Sequence, residues 1–556
     1  MQRAKRWLFL VHRWLGIALG GFFAMWFVSG VVMMYVGYPK LTDRERLAQL
    51  PVLGSVGLTP RQALDVAGIK GPLRELRLAA ASGGRAVYLV VPVEGGATSA
   101  PSAGMPAVSP AVSPAVSPAA SQPSTASTPS TSPMPRRASP AKTLVIDANT
   151  GAMTDQVTPT LALASAAAFA SPGVSATYLD AIDEDAFTHS RGLDAHRPLH
   201  RVQLNDDAST LLYVSGSTGE VVRDAPRAER LWNYAGAWIH WLYPFRGGAL
   251  DAYWTDIVNW LSIVGVGVIL TGTVVGIMRW RFTRRYKNGS RSPYAGGMMR
   301  WHHVSGLLFA AITLSWMFSG LMSMNPWRIF DAGAPALKLT DMNGGPLLPK
   351  AADATPASLL VSAGEGVREL RWVRVAGQSL VLARHAGGAP VVLSADTGKA
   401  VSIDPDVLKA AAARLVAAPV ARIEVLRDYD LYYYARVESA MMGGGYKPLP
   451  VWRVVFDDAV GTWVHLDPHT GAVLDRSDSH RRTSRWLFAM LHSWDWLPLL
   501  ERRPLWDVLM IVLSLGGAVL SLTSVVIGWR RLGRKLKSAS VHRDDTFGPK
   551  TKAERV

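Results

Sequence analysis

Four long apolar segments constrain the fold of this 556-residue chain more than any other feature. We expect transmembrane helices at residues 1–37, 253–280, 301–325 and 506–529. Each segment contains the roughly 20 apolar residues that a helix needs to cross a hydrocarbon core of about 30 Å. Tryptophans cluster near the segment ends, as they do in the interfacial belts of membrane proteins. The sequence therefore predicts a multi-pass membrane protein whose first segment is an uncleaved anchor.

The positive charge of the chain is confined to three stretches beside these segments. The formal net charge is +17, and residues 1–13, 279–300 and 530–556 contribute +4, +7 and +6 of it. An excess of Lys and Arg on one side of a membrane marks the cytoplasmic side. We therefore place the N-terminus, the basic loop at 281–300 and the tail at 530–556 in the cytoplasm. The pattern favours membrane lipid as a partner and argues against nucleic acid.

The chain contains two copies of the same arrangement. Residues 12–16 (HRWLG), followed by Ser29-Gly30, recur at an offset of 290 as residues 302–306 (HHVSG), followed by Ser319-Gly320. Residues 73–77 (LRELR) recur at an offset of 294 as residues 367–371 (VRELR). Later matches, such as Trp254 with Trp506, have an offset of 252. The sequence therefore predicts an internal two-fold repeat of helix, outer region and helix.

The two outer regions, 38–252 and 326–505, have the pattern of small α+β units. Short alternating strands end in turns with Thr-Gly, for example at 142–151, 211–222, 389–398 and 462–474. An Asp or Ser side chain accepts hydrogen bonds in such a turn, and Gly tolerates its positive φ. The change of offset between the copies requires an insertion in the first half. Residues 97–141 fit it, because this Ala-, Ser- and Pro-rich stretch contains ten prolines and is predicted to be disordered.

These motifs resemble a known family. The helix–strand–strand units with D-x-x-T-G or D-T-G turns resemble PepSY domains, and the H-R-W-L-G segment with its Ser-Gly pair resembles the PepSY-associated transmembrane region. That family includes iron-regulated inner-membrane proteins and ferrisiderophore reductases of the FoxB type. The resemblance implies an α-helical membrane bundle of four transmembrane helices with α+β PepSY-type periplasmic domains. It also implies a location in the bacterial inner membrane, with both termini in the cytoplasm.

In the reductases of this family, histidines of the bundle hold two b-type haems, and the resemblance implies the same two cofactors here. Four histidines recur at equivalent positions: His12 with His302 at an offset of 290, and His240 with His492 at an offset of 252. We expect each pair to supply the two axial ligands of one haem iron. His12 and Ser29 are 17 residues apart, or about 25 Å along a helix, so the pairs should lie near opposite faces. The chain has no cysteine, which excludes covalent c-type attachment.

The residues leave several points open. His303 adjoins His302, and only one of two neighbouring helical residues can face the partner histidine. Arg13 is a candidate partner for a haem propionate or a lipid phosphate. Arg201 and Arg453 recur between the halves, so they are candidates either for structural ion pairs or for propionates. Each histidine alone would also fit an interfacial anchor beside tryptophan.

The function implied by the resemblance is transmembrane electron transfer through two haems b to a ferric chelate, in particular a ferrisiderophore, in the periplasm. No dinucleotide-binding or P-loop motif is found, so electrons must come from a separate cytoplasmic protein or from membrane quinol. No acid–base catalytic residues are predicted. The alternative is a membrane-anchored PepSY binding protein that regulates a peptidase or an envelope partner without redox activity. Transport of iron ranks last, because the predicted helices contain almost no acidic residues.

Overall fold

The computed structural model describes residues 2–93, 142–246, 249–331, 333–437, 440 and 443–547. The predicted insert at 97–141 lies outside the described residues. The helices are α1 (Gln2–Tyr35), α2 (Asp43–Gln49), α3 (Pro60–Val66), α4 (Pro159–Phe169), α5 (Arg227–Asn233), α6 (Trp254–Arg279), α7 (Gly297–Leu308), α8 (Ala310–Ser323), α9 (Leu339–Asn343), α10 (Pro356–Ala363), α11 (Pro405–Ala412), α12 (Ser479–Arg485), α13 (Leu497–Leu500) and α14 (Arg503–Phe547). The strands are β1 (Leu73–Ser82), β2 (Arg85–Pro92), β3 (Leu144–Asp147), β4 (Ala176–Ile182), β5 (Leu199–Leu204), β6 (Leu211–Ser215), β7 (Val221–Ala225), β8 (Glu369–Val375), β9 (Gln378–Arg384), β10 (Val391–Ser394), β11 (Val420–Leu426), β12 (Val451–Phe456), β13 (Trp463–Leu466) and β14 (Val473–Ser477).

Three helical segments of the described chain are long and apolar enough to cross a membrane. They are α1, the segment Asp251–Arg279 that contains α6, and the Arg503–Arg534 part of α14. Helix α1 packs against both α6 and α14, α6 packs against α8, and α14 packs against α7. The chain therefore has the helices of a membrane protein, and they form one packed group.

The predicted fold class, an α-helical membrane bundle of four transmembrane helices, is wrong. The described residues form a mixed α+β fold with three sheets and three candidate membrane spans. The predicted helix at 301–325 is two helices, α7 and α8, which meet at Phe309 with a bend of 68°. A fourth span results only if this bent pair is counted as one. Hydropathy measures the apolar content of a segment and not its direction, and Leu308, Phe309 and Ala310 at the bend are as apolar as their neighbours.

Four short helices outside the membrane group begin in the same way. A Thr or Asp side chain caps each N-terminus by accepting a hydrogen bond from a backbone N–H, and proline follows at the first helical position. Proline has no backbone N–H, but an N–H at this position would have no partner within the helix. The fixed φ of proline also suits the first helical turn. The four capping residues are Thr59 of α3, Thr158 of α4, Thr355 of α10 and Asp404 of α11. Each of these helices is followed in the sequence by a set of antiparallel strands.

The largest sheet joins the two halves of the chain. It has the order β10-β9-β8-β1-β2-β3, and the two four-stranded sheets have the orders β4-β5-β6-β7 and β11-β12-β13-β14. Strands β1 and β8 are antiparallel, and their pairing is centred on Arg77 opposite Arg371. These two arginines occupy the same position of the LRELR and VRELR motifs. The recurring motif therefore pairs with its own copy, so that both halves share one sheet and one hydrophobic core.

The junction of β1 and β8 encloses the carboxylate of Glu369, which is fully buried. Arg46 Nη2, Arg77 Nη1 and Arg384 Nη1 donate hydrogen bonds to it at 2.9, 3.2 and 3.0 Å. Burial alone would raise the pKa of Glu369, but the charges of these arginines outweigh burial and hold the pKa well below its ordinary value. The equivalent residue of the first half, Glu75, is 17% exposed and bonds Arg77 Nε at 2.8 Å. One buried anion therefore organises the cations at the centre of the shared sheet.

Candidate functional site

His240 and His492 each end a helix that contains one π-helical turn. After each histidine the backbone passes through a non-glycine residue with positive φ, Leu242 at 56° and Trp494 at 48°. Single π turns and residues in strained backbone conformations are concentrated at functional sites. Both features recur at the offset of 252 residues that relates the two histidines. The π turns are Tyr234–Trp238 and Trp486–Met490.

The rings of His240 and His492 are neighbours near the end of α1 from which the chain continues to the sheets, and we call them the sheet-side pair. Their ring centres are 6.2 Å apart and their planes are inclined at 76°. Ser29 Oγ of α1 is 3.0 Å from His240 Nδ1, and Ser319 Oγ of α8 is 3.1 Å from His492 Nδ1. The glycine after each serine leaves room, because a Cβ there would lie 3.6 or 3.7 Å from the histidine Cε1. The recurring Ser-Gly dipeptide thus orients the ring and accommodates it.

The rings of His12 and His302 are also neighbours, near the basic loop, and we call them the loop-side pair. Their ring centres are 6.3 Å apart and their planes are inclined at 32°. His12 Nδ1 is 3.2 Å from the carbonyl oxygen of Val268, and His302 Nδ1 is 3.3 Å from that of Leu520. A carbonyl oxygen only accepts, so Nδ1 must be the protonated nitrogen in both rings. In a neutral ring this leaves the lone pair on Nε2.

The spacing of the rings would allow each pair to hold one metal ion between its two imidazoles. All four rings form their hydrogen bonds through Nδ1 in the part of the chain that the structure describes. A metal–imidazole bond of about 2.0 Å, with the ring centre about 1.1 Å behind the bonding nitrogen, places opposed ring centres roughly 6.2 Å apart. Two imidazoles complete the coordination of an iron that brings four ligands of its own, as haem iron does. The donors and their spacing therefore fit a tetrapyrrole iron at each pair.

The structure gives His302 and His303 different surroundings. His303 is buried, with Nδ1 2.8 Å from Ser292 Oγ and Nε2 2.9 Å from the carbonyl oxygen of Gly276. Both of its nitrogens therefore tie the basic loop to the end of α6, whereas the ring of His302 lies next to that of His12. Arg13 is half-buried and has no hydrogen-bond or ion-pair partner within the described residues. Its role towards a propionate or a lipid phosphate stays a prediction.

A cavity of about 290 Å³ adjoins the sheet-side pair, and both histidines line it. The described segment that follows β11 contributes Tyr434 and Arg436 to the wall, and the first residue of α14 contributes Arg503. Burial raises the pKa of Tyr434, so its hydroxyl stays protonated at neutral pH. Most of the wall is apolar and includes Phe23, Trp26, Phe27, Trp316, Met317 and Met510. The cavity is therefore an apolar space with imidazoles on its surface and cationic groups in part of its lining.

The two arginines that the sequence offered for propionates lie elsewhere. Arg201 Nη2 on β5 is 2.6 Å from Asp180 Oδ2, and Arg453 Nη2 on β12 is 2.6 Å from Asp430 Oδ2. Neither side chain lines the cavity. Each arginine lies opposite an acidic residue of the neighbouring strand, Arg201 opposite Asp180 on β4 and Arg453 opposite Glu424 on β11. A structural ion pair in each four-stranded sheet therefore accounts for their recurrence.

Gly272 on α6 makes room for His12, and we expect Gly272→Ala to disturb the loop-side pair. A Cβ at this position would lie 2.5 Å from His12 Cε1 and 2.9 Å from His12 Nδ1. Overpacking of this kind costs about 1–3 kcal/mol. Gly267→Ala on the same helix is the matched control, because its Cβ would meet no atom within 4 Å. Unfolding in SDS, followed by circular dichroism, should show a lower midpoint for Gly272→Ala alone, and equal midpoints would contradict the crowding argument.

The sequence marked some residues of the candidate site and gave no indication of others. Ser29 and Ser319 belong to a recurring dipeptide, so the repeat marked their positions without revealing that they bond histidine. Arg436 and Arg503 have no arginine 252 residues earlier, and the segments around them match no motif. Only the structure brings them to the cavity.

No protein-family model matches the sequence. No curated protein matches it.

Proposed function

We propose that the protein transfers electrons across a membrane through two non-covalently held b-type haems and reduces a ferric chelate on the side of the three sheets. The ligands are His240 and His492 at the sheet-side pair, and His12 and His302 at the loop-side pair. The observation that carries the proposal is the close approach of the imidazoles in both pairs, with ring centres 6.2 and 6.3 Å apart. The resemblance to PepSY-associated membrane proteins favours a ferrisiderophore as the chelate and the bacterial inner membrane as the location.

A haem iron held by two imidazoles supplies one-electron chemistry, because it changes oxidation state without exchanging ligands. The residues of the chain hold and orient the imidazoles. Ser29, Ser319 and the carbonyl groups of Val268 and Leu520 fix the Nδ1 side of each ring. Such outer hydrogen bonds set the ring orientation and the basicity of the ligand nitrogen. The apolar wall of the cavity limits contact with water at the sheet-side pair.

The positions of the pairs suit electron transfer from one membrane face to the other. The 17 residues of α1 from His12 to Ser29 span about 25 Å, close to the thickness of a hydrocarbon core of about 30 Å. The loop-side pair lies beside the basic loop, the side that we assign to the cytoplasm. Electrons would enter there from a separate protein or from membrane quinol. The sheet-side pair would face the chelate in the periplasm.

The proposed reaction needs no acid–base group of the protein. One electron passes from the donor to a ferric ion that hard oxygen ligands hold tightly. The donor is oxidised by one electron, and the ferric ion becomes ferrous. The ferrous ion is held more weakly by the same oxygens and leaves the chelate.

The visible spectrum of the full chain, purified in detergent from haem-replete cells, tests this proposal. We expect a low-spin b-type spectrum with about two haems per chain, since each pair supplies two axial nitrogens. The reduced protein, freed of excess reductant, should be reoxidised by a ferric hydroxamate with the appearance of ferrous iron.

Two results would contradict the proposal in different ways. A colourless preparation would overturn haem binding and favour the alternative, a membrane-anchored PepSY-type protein that binds a peptidase or an envelope partner. A haem-loaded protein that ferric chelates do not reoxidise would retain the electron-transfer assignment and overturn the reductase assignment.

A further inference from the structure

The ionised groups at the cavity beside the sheet-side pair are not balanced. Arg436, Arg503 and Asp495 are the lining side chains other than histidine that carry charge at neutral pH, which leaves one positive charge in excess. Asp495 is 2% exposed and is shared, because it pairs with Arg436 and also with Arg485 Nη1 at 2.7 Å. The single negative charge of Asp495 is therefore divided between Arg436 and Arg485. An apolar space whose lining carries an excess of partly buried positive charge favours an anionic ligand.

Each lining arginine keeps donors for a ligand. A guanidinium group has five N–H donors in a planar fork that suits carboxylates. Arg436 uses Nη2 for its bond to Asp495, and Arg503 uses Nε for Asp507, at 3.2 Å to the nearer oxygen. The side chains of Arg436 and Arg503 are 18% and 35% exposed. They are therefore held in place by one aspartate each and remain able to bind a further carboxylate.

The fold does not require these arginines. The rest of the sheet-side site recurs in both halves, including the histidines, the serines and the π turns. The arginines occur in the second half alone, since the positions 252 residues before Arg436, Arg485 and Arg503 are Glu184, Asn233 and Asp251. A feature that one copy lacks is not needed to build the other copy. Its placement at the cavity therefore points to a ligand that is polar at one edge.

We propose that Arg436 and Arg503 bind two carboxylates on one edge of the planar ligand whose centre lies between His240 and His492. This inference rests on the proposed function, and it adds the orientation of the ligand and its class, a tetrapyrrole with free carboxylates. The apolar wall of Trp26, Phe27 and neighbouring residues covers the remaining edges. The carboxylate edge then points away from the loop-side pair, towards the sheets.

A titration of the apo-protein with haemin and with haemin dimethyl ester tests the inference. The full chain with His302→Ala is purified from haem-deficient cells, so that the sheet-side site alone is titrated, and binding is followed by the Soret band. We expect the ester, which lacks the charges, to bind at least about tenfold more weakly than the acid, because hydrogen bonds to charged groups are lost. With Arg436→Gln and Arg503→Gln together, the affinity for the acid should fall to that for the ester.

The control is Arg246→Gln. Arg246 lies over the rings of Tyr243 and Trp254, at 5.3 and 5.1 Å from their centres, and does not line the cavity. We expect this variant to keep the preference for the acid. In Arg436→Gln, Arg485 still pairs with Asp495, so no buried carboxylate is stranded. Arg436→Lys with Arg503→Lys keeps both charges and should restore part of the preference.

The outcomes separate this inference from the proposed function. The inference is overturned if the His302→Ala protein, the parent of the other variants, binds the acid and the ester equally. It is also overturned if the preference for the acid is unchanged when Arg436→Gln and Arg503→Gln are added. Both results would leave the histidine ligands intact. Binding of neither compound by the parent protein would overturn both proposals.

Discussion

Replacing His492 by alanine is expected to remove one of two haem components from the visible spectrum and to leave the other. The haem at the sheet-side pair would lose one of its two axial nitrogens, whereas the loop-side pair lies about 25 Å away along α1. Reduction of a ferric chelate should then fall by more than about 100-fold, since replacement of residues that merely orient a ligand already costs about 10–100-fold in metal affinity or activity. Haem content per chain and difference spectra measure the result.

The variant Ser319→Ala is a milder change at the same pair. It removes the hydrogen bond between Ser319 Oγ and His492 Nδ1 and keeps the imidazole of His492. We expect weaker haem retention without complete loss.

At the loop-side pair, His302→Ala and His303→Ala are matched variants of neighbouring residues. His302→Ala should remove the second component, whereas His303→Ala should keep both, since its nitrogens bond Ser292 and Gly276. If all of these variants retained both components, the ligand assignment would be wrong.

The pairing of histidines could be predicted because both copies of a repeat place equivalent residues around one axis. The offsets of 290 and 252 indicated which rings should meet, and the structure brings His12 to His302 and His240 to His492. Their role as iron ligands stays a prediction. The choice between His302 and His303 could not be made from sequence, since it depends on the loop residue Ser292 and the α6 carbonyl of Gly276.

The fold was predicted less well than the pairs. Apolar content predicted helices near the right residues, but it does not report backbone direction, so the 68° bend at Phe309 was missed and the four-helix bundle was wrong. Alternation and Thr-Gly turns predicted the strands within each unit. The pairing of β1 with β8 was missed, because local patterns do not reveal which of several strand edges meet. The sequence showed the LRELR motif twice without showing that the two copies touch.

Glu369 is the residue whose replacement should most destabilise the shared sheet. In Glu369→Gln, the partly buried arginines Arg46, Arg77 and Arg384 lose the carboxylate that balances them. Removal of one partner from a buried ionic group costs about 3–5 kcal/mol. Hydrogen exchange of the β1 and β8 amides in the full chain should show an opening free energy lower by this amount. Glu75→Gln, the equivalent change at a less buried position, should cost less, because its carboxylate contacts Arg77 and Arg371 and keeps some exposure to water.

The dependence of this difference on pH provides a second measurement. The pKa of Glu369 is held well below its ordinary value in the folded protein, chiefly because the surrounding arginines outweigh the effect of burial. The carboxylate therefore adds stability above the unfolded pKa of about 4.3, and this contribution is lost as the pH falls towards the folded pKa. The gap between wild type and Glu369→Gln should accordingly be largest near neutrality and should narrow below about pH 4.3. A gap that stayed constant from pH 7 to pH 3 would show that packing, and not the charge of Glu369, stabilises the junction.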